Sequence, residues 1–200
     1  MSVPLPFPRR RATAEPTGLV ASRSTVRQAN PDDAEAVGAV QADLWVGAFT
    51  DVLPAEALAL CTPESFAQAW RSSLSAPPSA DHLLLIAAED ESIVGLAAVA
   101  PGDEPDLDAT ELLLFGVVER HRCRGHASRL MAAVAESVEQ RGGDLLISWV
   151  LIGHEEMRAH LQGAGFVADG ARRERVVDPE GRTVTEVRLV VSLRTGSPLR

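Results

Sequence analysis

The amino-acid sequence predicts a single mixed α/β domain in which about seven strands form a central sheet flanked by about four helices. Short apolar runs of strand length alternate with longer segments whose apolar residues recur every three or four positions. One strand–helix–strand crossover falls in the middle of the chain, which indicates that the sheet contains a parallel pair. A length of 200 residues suits one domain.

The first elements are a strand in "STVRQAN" and a helix over residues 31–49. Asn30 can cap this helix, because its side-chain oxygen can accept a backbone N–H of the first turn. Pro31 suits the first helical position, where no N–H is needed. Pro54 and Pro63 begin two shorter helical segments. In the long helix, apolar residues recur at helical spacing at Val37, Val40, Leu44 and Ala48.

The central and C-terminal parts of the chain contain most of the predicted strands. "HLLLIAAED" and "SIVGLAAVA" are apolar runs joined by an acidic turn, which predicts a hairpin. "TELLLFGVV" is too apolar for a strand with one face in water, so it should lie in the middle of the sheet. A helix ending at Gly142 follows, and "DLLISWVL" is a fourth buried strand. "HEEMRAHLQGAG" is a short helix, and the turn "DPEG" joins two final strands.

Composition excludes several classes of protein. The formal net charge of −9 argues against general binding to nucleic acids or membrane surfaces, because both are polyanionic. Cys61 and Cys123 form no CxxC pattern, and no cysteine–histidine spacing suits zinc, so no metal site is expected. No apolar run reaches the roughly 18 residues of a membrane span, and a cytoplasmic location is expected. Residues 1–22 should be a flexible arm preceding one domain over residues 23–195.

A basic island, "RHRCRGHASRLM" at residues 120–131, lies where the central strand passes into the crossover helix. A helix N-terminus presents unpaired N–H groups and partial positive charge, so it attracts phosphate. Gly125 lets a phosphate approach the backbone, and Ala127 keeps the first turn small. Arg122 and Arg124 can add charge-assisted contacts to a diphosphate. The pattern Arg-x-x-Gly-x-Ala is neither a Walker A loop nor GxGxxG.

This pattern resembles the acetyl-CoA signature of the GNAT acyltransferase superfamily, Gln/Arg-x-x-Gly-x-Gly/Ala. "ELLLFGVVERHRCRGHASRLM" follows the strand–loop–helix layout of that family, and "LQGAGFVADG" and "VRQANPDDAEAV" are similar to its closing and opening segments. The resemblance covers about residues 24–193, and it implies the GNAT acyl-CoA N-acyltransferase fold. It further implies that acetyl-CoA is the co-substrate and that an amine accepts the acetyl group.

The resemblance also assigns the coenzyme site. The diphosphate would rest on backbone amides of the loop, and the pantetheine arm would lie between "ELLLFGVV" and "DLLISWVL", two strands that splay apart in this family. A backbone N–H near Val117 would polarise the thioester carbonyl. The residues expected to bind the coenzyme are Val117, Val118, Arg122, Cys123, Arg124, Gly125, His126, Ala127 and Ser128.

Two residues are candidates for acid–base chemistry. Glu111 lies 11 residues before Arg122, the spacing of the glutamate base in the histone-acetylating branch of the family, and partial burial would raise its pKa. The alternative is a solvated carboxylate at a strand end. Leu161 stands where many relatives carry the tyrosine that protonates the leaving thiolate, so His154 is the candidate proton donor. The alternative for His154 is a surface histidine.

The acceptor site is less defined. Trp45 and Phe49, with the loop that follows them, would form one wall, although core packing would also explain both aromatics. The arginines in "RRER", residues 172–175, could form the other wall or a dimer contact.

The leading hypothesis is an N-acetyltransferase that acts on a primary amine of a small molecule or of a peptide or protein by direct attack. Because the chain has no tyrosine, a catalytically weak or inactive acyl-CoA-binding protein with a sensory or regulatory role is the alternative. The resemblance leaves a homodimer open.

Overall fold

The structure is a computed structural model that describes residues 23–50, 52–104, 107–178 and 180–194. The predicted N-terminal arm, residues 1–22, lies outside the described residues. The strands within the described residues are β1 (Ser24–Gln28), β2 (Leu83–Glu89), β3 (Ser92–Pro101), β4 (Thr110–Val117), β5 (Leu145–Leu151), β6 (Val167–Val176) and β7 (Thr183–Ser192).

Five α-helices lie within the same described ranges, and they correspond to the five helical segments indicated by the sequence, including the short one after Pro54. None of these helices is long and apolar enough to cross a lipid bilayer. They are α1 (Ala34–Phe49), α2 (Ala55–Ala59), α3 (Pro63–Ser75), α4 (His126–Gln140) and α5 (Glu155–Gly163).

The strands form one mixed sheet with the order β1-β2-β3-β4-β5-β7-β6. All neighbouring pairs are antiparallel except β4 and β5, which are parallel and are connected through α4. The predicted fold class, hairpins and crossover are therefore confirmed. The central position predicted for β4 from its apolar sequence is also confirmed. The last strand, β7, inserts between β5 and β6.

Asn30 and Gly142 mark the start of α1 and the end of α4, as the sequence predicted. The Asn30 side chain accepts the backbone N–H of Asp32 at 2.9 Å, and the Asp33 carboxylate accepts that of Asn30 at 2.8 Å. The two bonds make a capping box for the 3-10 turn that leads into α1. Gly142, just beyond α4, has a φ of +85°, a conformation that costs glycine little.

The two long helices α1 and α4 cover opposite faces of the sheet. An added Cβ at Gly95 would meet Leu130 of α4 at 3.2 Å, and its partner on β4, Val117, shares that face. An added Cβ at Gly116 would instead meet Leu44 of α1 at 2.8 Å. Since neighbouring strand residues point to opposite faces, the sheet is buried between the two helices. The buried face of α4 carries Leu130, Val134 and Val138, which recur at helical spacing.

Gly38 allows α1 to pack closely against α3, and Gly38→Ala should lower the free energy of unfolding by about 1–3 kcal/mol. The added Cβ would lie 2.5 Å from the Pro63 oxygen and 2.6 Å from the Ala67 nitrogen, and both are backbone atoms. Gly47→Ala on the same helix, where the Cβ would meet none of the described atoms within 4 Å, should raise it by up to about 1 kcal/mol. Urea denaturation measures both, and equal effects would contradict this packing.

Candidate active site

The central feature of the candidate site is the separation of β4 from β5. Within the described chain these parallel strands pair only at Thr110 with Leu146 and at Glu111 with Ile147. Both strands then continue without pairing to each other, and the Ser148 hydroxyl donates to the Leu112 carbonyl at 3.1 Å where the separation begins. The splayed strands expected from the resemblance are therefore present, and Glu111 lies at the closed end of the opening.

A β-bulge in β4 explains why the strands separate. Leu112 pairs with Val99 on β3 and Leu114 pairs with Ala98, so Leu113 is an additional residue without a partner position on that strand. A bulge bends its own strand and increases the local twist. The bend directs β4 away from β5 beyond Glu111, while β5 stays paired with β7 along its whole length.

Backbone groups of β4 point into this opening. The Val118 N–H donates to the Val94 carbonyl on β3 at 2.9 Å. Because N–H groups of successive strand residues point to opposite edges, the Val117 N–H is directed toward the open edge, and so is that of Phe115. The Val117 carbonyl accepts a hydrogen bond from Arg122 Nε at 3.3 Å. The open edge therefore offers N–H donors to a bound molecule.

The basic island forms a loop that leads into the N-terminus of α4. Gly125 has a φ of +78°, and no side chain among the described residues caps the helix there. The first backbone bond of α4 runs from the Arg129 N–H to the Gly125 carbonyl at 3.1 Å, so the N–H groups of residues 126–128 have no acceptor within the helix. An added Cβ at Gly125 would lie 2.9 Å from Arg129 Nη1. The loop has the geometry of an anion site.

The arginines of the island contact carboxylates of neighbouring elements. Arg122 Nη1 lies 2.5 Å from Glu156 Oε1 of α5, so this side chain ties the end of β4 to α5. Arg124 Nη1 donates to both carboxylate oxygens of Glu89, at 3.0 Å each. The sequence placed Glu89 in the acidic turn of the hairpin, whereas in the structure it ends β2 and contacts the loop before α4.

Glu111 is a buried carboxyl, with 8% of its surface exposed, so it is not a solvated strand end. Burial raises its pKa above the ordinary glutamate value. Arg173 and Arg175 oppose this rise, and the negative charges of Glu186 and Glu104 add to it. The nearest of these cations is the guanidinium of Arg173, whose Nη2 lies 3.6 Å from Glu111 Oε1.

Arg173 belongs to a charged cluster on the final strands. Its guanidinium lies 4.4 Å from the centre of the Trp149 ring, and its Nε donates to Glu186 Oε2 at 2.6 Å. Arg188 lies over the same ring at 5.5 Å and pairs with Asp169 at 2.8 Å. Of the segment "RRER", Arg173 therefore faces Glu111. Side-chain alternation along β6 separates Arg173 from Arg172, but it does not indicate which of them faces Glu111. That choice requires the position of β6 beside β7 in the folded sheet.

The candidate proton donor, His154, lies at the N-terminal boundary of α5. Burial lowers its pKa, and the positive charge of Arg122 adds to this effect while Glu156 opposes it. The lowered pKa favours the neutral form of the His154 imidazole. Leu161, at the position of the tyrosine in many relatives, is completely buried and belongs to the core. His160 stacks on Phe115 of β4 with ring centroids 5.3 Å apart.

The predicted acceptor-site aromatics pack against each other and against α3. The ring centroid of Trp45 lies 4.8 Å from that of Phe49 and 5.3 Å from that of Phe66. A cleft of about 530 Å³ lies between the start of α2 and the turn between β6 and β7. Of the two expected walls, only Pro54, at the end of the loop after α1, is among the residues that line this cleft. The residues that line this cleft are Pro54, Glu56, Asp178, Glu180, Gly181 and Arg182.

Comparison with known families identifies the class of protein. The model of the acetyltransferase (GNAT) family matches residues 43–166, which include the C-terminal part of α1, β4, the basic loop and α4. The chain belongs to this family of acetyltransferases and is thus an enzyme of the N-acetyltransferase class. The family predicted from the basic loop and its flanking segments is confirmed. A search of curated proteins found no match.

Solved structures share the fold at low sequence identity. PaiA N-acetyltransferase from Thermoplasma acidophilum, in complex with coenzyme A, is 14% identical, with a TM-score of 0.62 over 85% of this chain and 99% of that chain. YncA from Salmonella typhimurium, with its cofactor acetyl-CoA, is 14% identical, with a TM-score of 0.62 over 88% and 96%. Ribosomal-protein-alanine N-acetyltransferase from Brucella melitensis is 20% identical, with a TM-score of 0.61 over 84% and 99%.

Arg173→Met should raise the pKa of Glu111 further, because it removes the cation that lowers this pKa most. Arg172→Met is the matched control, since Arg172 projects from the opposite face of β6 and should leave the pKa unchanged. A ¹³C NMR titration of the glutamate side-chain carboxyls measures the shift in both variants. An unchanged Glu111 titration in Arg173→Met would contradict the proposed electrostatic contact.

Proposed function

We propose that the enzyme transfers the acetyl group of acetyl-CoA to a primary amine of a small molecule or of a peptide or protein. The observation that carries this proposal is the opening between β4 and β5, which has a buried carboxyl at one end and, at the other, the loop that leads into the uncapped N-terminus of α4. One continuous strand, β4, thus connects a candidate base to a candidate diphosphate site. PaiA and YncA, which share this fold, bind coenzyme A and acetyl-CoA respectively.

The loop supports binding of the coenzyme diphosphate through its backbone amides. The N–H groups at the start of α4 have no helical acceptor, and Gly125 keeps the approach to them free of a Cβ. The Arg124 side chain is about half exposed, so it can exchange Glu89 for a phosphate oxygen. Arg122, which is held by Glu156 and by the Val117 carbonyl, positions the loop against β4.

The pantetheine arm would lie along the open edge of β4. The Val117 N–H lies near the diphosphate loop, where it can donate to an amide carbonyl of the pantetheine arm. The Phe115 N–H points to the same edge and lies two residues, about 7 Å, closer to Glu111. A base and a carbonyl-polarising donor must serve the same reacting carbon, so we assign polarisation of the thioester carbonyl to Phe115 and pantetheine binding to Val117.

The reaction requires a neutral amine as the nucleophile. Ionised Glu111 accepts the proton of the attacking amine, directly or through ordered water, and its raised pKa makes it a stronger base than an exposed glutamate. The new C–N bond forms at the thioester carbon, the C–S bond breaks, and the thiolate of the coenzyme leaves. Because the pKa of His154 is lowered, it is a weak source for the final proton at neutral pH. The thiolate, with a reference thiol pKa near about 8.5, can take that proton from solvent.

The acceptor would enter from the side of the final hairpin. The cleft between α2 and the β6–β7 turn is lined by Glu56, Asp178 and Glu180, and its Arg182 pairs with Asp178 at 3.3 Å. The uncompensated negative charge favours an acceptor that carries positive charge when free in solution. Trp45 packs against Phe49 and against Phe66 of α3.

Arg124→Ala should weaken acetyl-CoA binding by about 10-fold or more, because it removes a charge-assisted contact to the diphosphate. Arg141→Ala, at the opposite end of α4, has the same change of charge and should bind as the wild type does. Calorimetric titration with acetyl-CoA measures both affinities. Saturable binding that is equally strong in both variants would show that Arg124 does not contribute to coenzyme binding. Absence of binding by the folded wild type would overturn the proposed function.

Glu111→Gln should lower kcat by about 100-fold or more while leaving the affinity for acetyl-CoA within about twofold, because glutamine cannot accept the proton. In the wild type, kcat/KM should rise with pH through the raised pKa of Glu111, since the ionised form is the base. Thiol release across a panel of amines provides the assay. If the wild-type protein binds acetyl-CoA but none of the amines causes thiol release, the result would favour the alternative, an acyl-CoA-binding protein with little turnover.

A further inference from the structure

Three potential metal ligands meet beside the loop that leads into α4, although they are distant in sequence. Glu89 ends β2, His121 lies in the 3-10 turn after β4, and His126 is the first residue of α4. One donor atom from each residue lies within 4.8 Å of those from the other two. The sequence predicted no metal site here, because the five-residue separation of the two histidines does not indicate one and Glu89 is distant from both along the chain.

The strongest indication of a ligand is an unsatisfied nitrogen of His126. This side chain is buried, with 1% of its surface exposed, and its Nε2 has no hydrogen-bond partner among the described residues. Leaving a buried polar atom unpaired is costly, so such atoms in proteins commonly bind a partner, a water or an ion. Nε2 is directed toward Glu89, with 3.5 Å between it and Oε2. His126 Nε2 and Glu89 Oε2 are therefore close enough to bind one ion together.

The remaining contacts orient the donors. His126 Nδ1 lies 3.3 Å from Ser24 Oγ and 3.3 Å from Arg129 Nη2. A metal on Nε2 would place the ring proton on Nδ1, from which it can be donated to the Ser24 hydroxyl. His121 Nδ1 lies 2.5 Å from the same Glu89 oxygen. The separation of 3.5 Å between His126 Nε2 and Glu89 Oε2 is close to the roughly 3.3 Å between adjacent ligand atoms of a tetrahedral zinc centre, given Zn–N and Zn–O distances of about 2.0–2.1 Å. The contact between His121 and Glu89 is a hydrogen bond, which a bound ion would replace.

We propose that Glu89, His121 and His126 form a binding site for a divalent transition-metal ion, with zinc as the metal that fits the donors. Two imidazoles and one carboxylate are a donor set that zinc binds, whereas magnesium and calcium prefer oxygen donors alone. The Glu89 and His121 side chains are 13% and 20% exposed, so an ion can reach the site from solvent. The bound ion would join the end of β2 to the start of α4.

Calorimetric titration of the untagged, chelator-treated full chain with zinc chloride tests the proposal. We expect one equivalent to bind and to raise Tm, because the ion binds the folded state alone. Glu89→Gln and His121→Gln should each weaken binding by about 100-fold or more, a larger loss than the 10–100-fold typical of outer-shell residues. His82→Gln is the matched control, since His82 bonds to Ser79 in the loop before β2 and should leave binding unchanged.

Cobalt(II) provides a second readout that needs no variant to fold. The wild-type cobalt complex should show the visible absorption of a four-coordinate site and hyperfine-shifted NMR signals from two histidine rings. Several results would overturn the proposal: no stoichiometric zinc binding by the wild type, wild-type affinity in both Glu89→Gln and His121→Gln, or loss of binding in His82→Gln. A cobalt spectrum with sulfur ligation would also do so, because the proposed ligands contain no cysteine.

Discussion

The candidate site depends on the point at which two central strands separate. The parallel strands β4 and β5 are held together at two residue pairs within the described chain, and the bulge at Leu113 bends β4 away beyond them. Unpaired backbone groups in the middle of a sheet are normally costly. Here the Ser148 hydroxyl and the Arg122 guanidinium each satisfy one carbonyl of β4, and the remaining N–H groups face the opening. The fold thereby leaves donors available for a substrate.

Charge is distributed to match this opening. At its closed end, burial of Glu111 raises the pKa of that carboxyl, while Arg173 limits the rise and is itself held by Glu186 and Trp149. At the other end, the start of α4 supplies backbone N–H groups. Arg124 adds a guanidinium that can exchange its ion pair with Glu89 for one with a phosphate. A net charge of −9 is therefore compatible with a phosphate site, because the positive potential is confined to one loop.

Local patterns in the sequence predicted the helices, the strands, the Asn30 cap and the position of Glu111 relative to the loop, because each depends on residues close together in the chain. The contact of Arg173 with Glu111 could not be predicted in the same way. It depends on β7 inserting between β5 and β6, and the order of strands in a sheet is a property of the folded chain. The meeting of Glu89 with His126 was missed for the same reason. The absence of a tyrosine at position 161, in contrast, is visible in the sequence itself, because the residue there is leucine.

The central claim is that acetyl-CoA occupies the opening between β4 and β5, with its diphosphate on the loop before α4. An amide NMR titration of the ¹⁵N-labelled protein with acetyl-CoA tests it most directly. The account predicts saturable shifts concentrated at the amides of Phe115, Val117 and residues 123–128, with little change on β1 or at the edge of β6. Shifts confined to the cleft between α2 and the β6–β7 turn, or an unchanged loop at saturation, would contradict it.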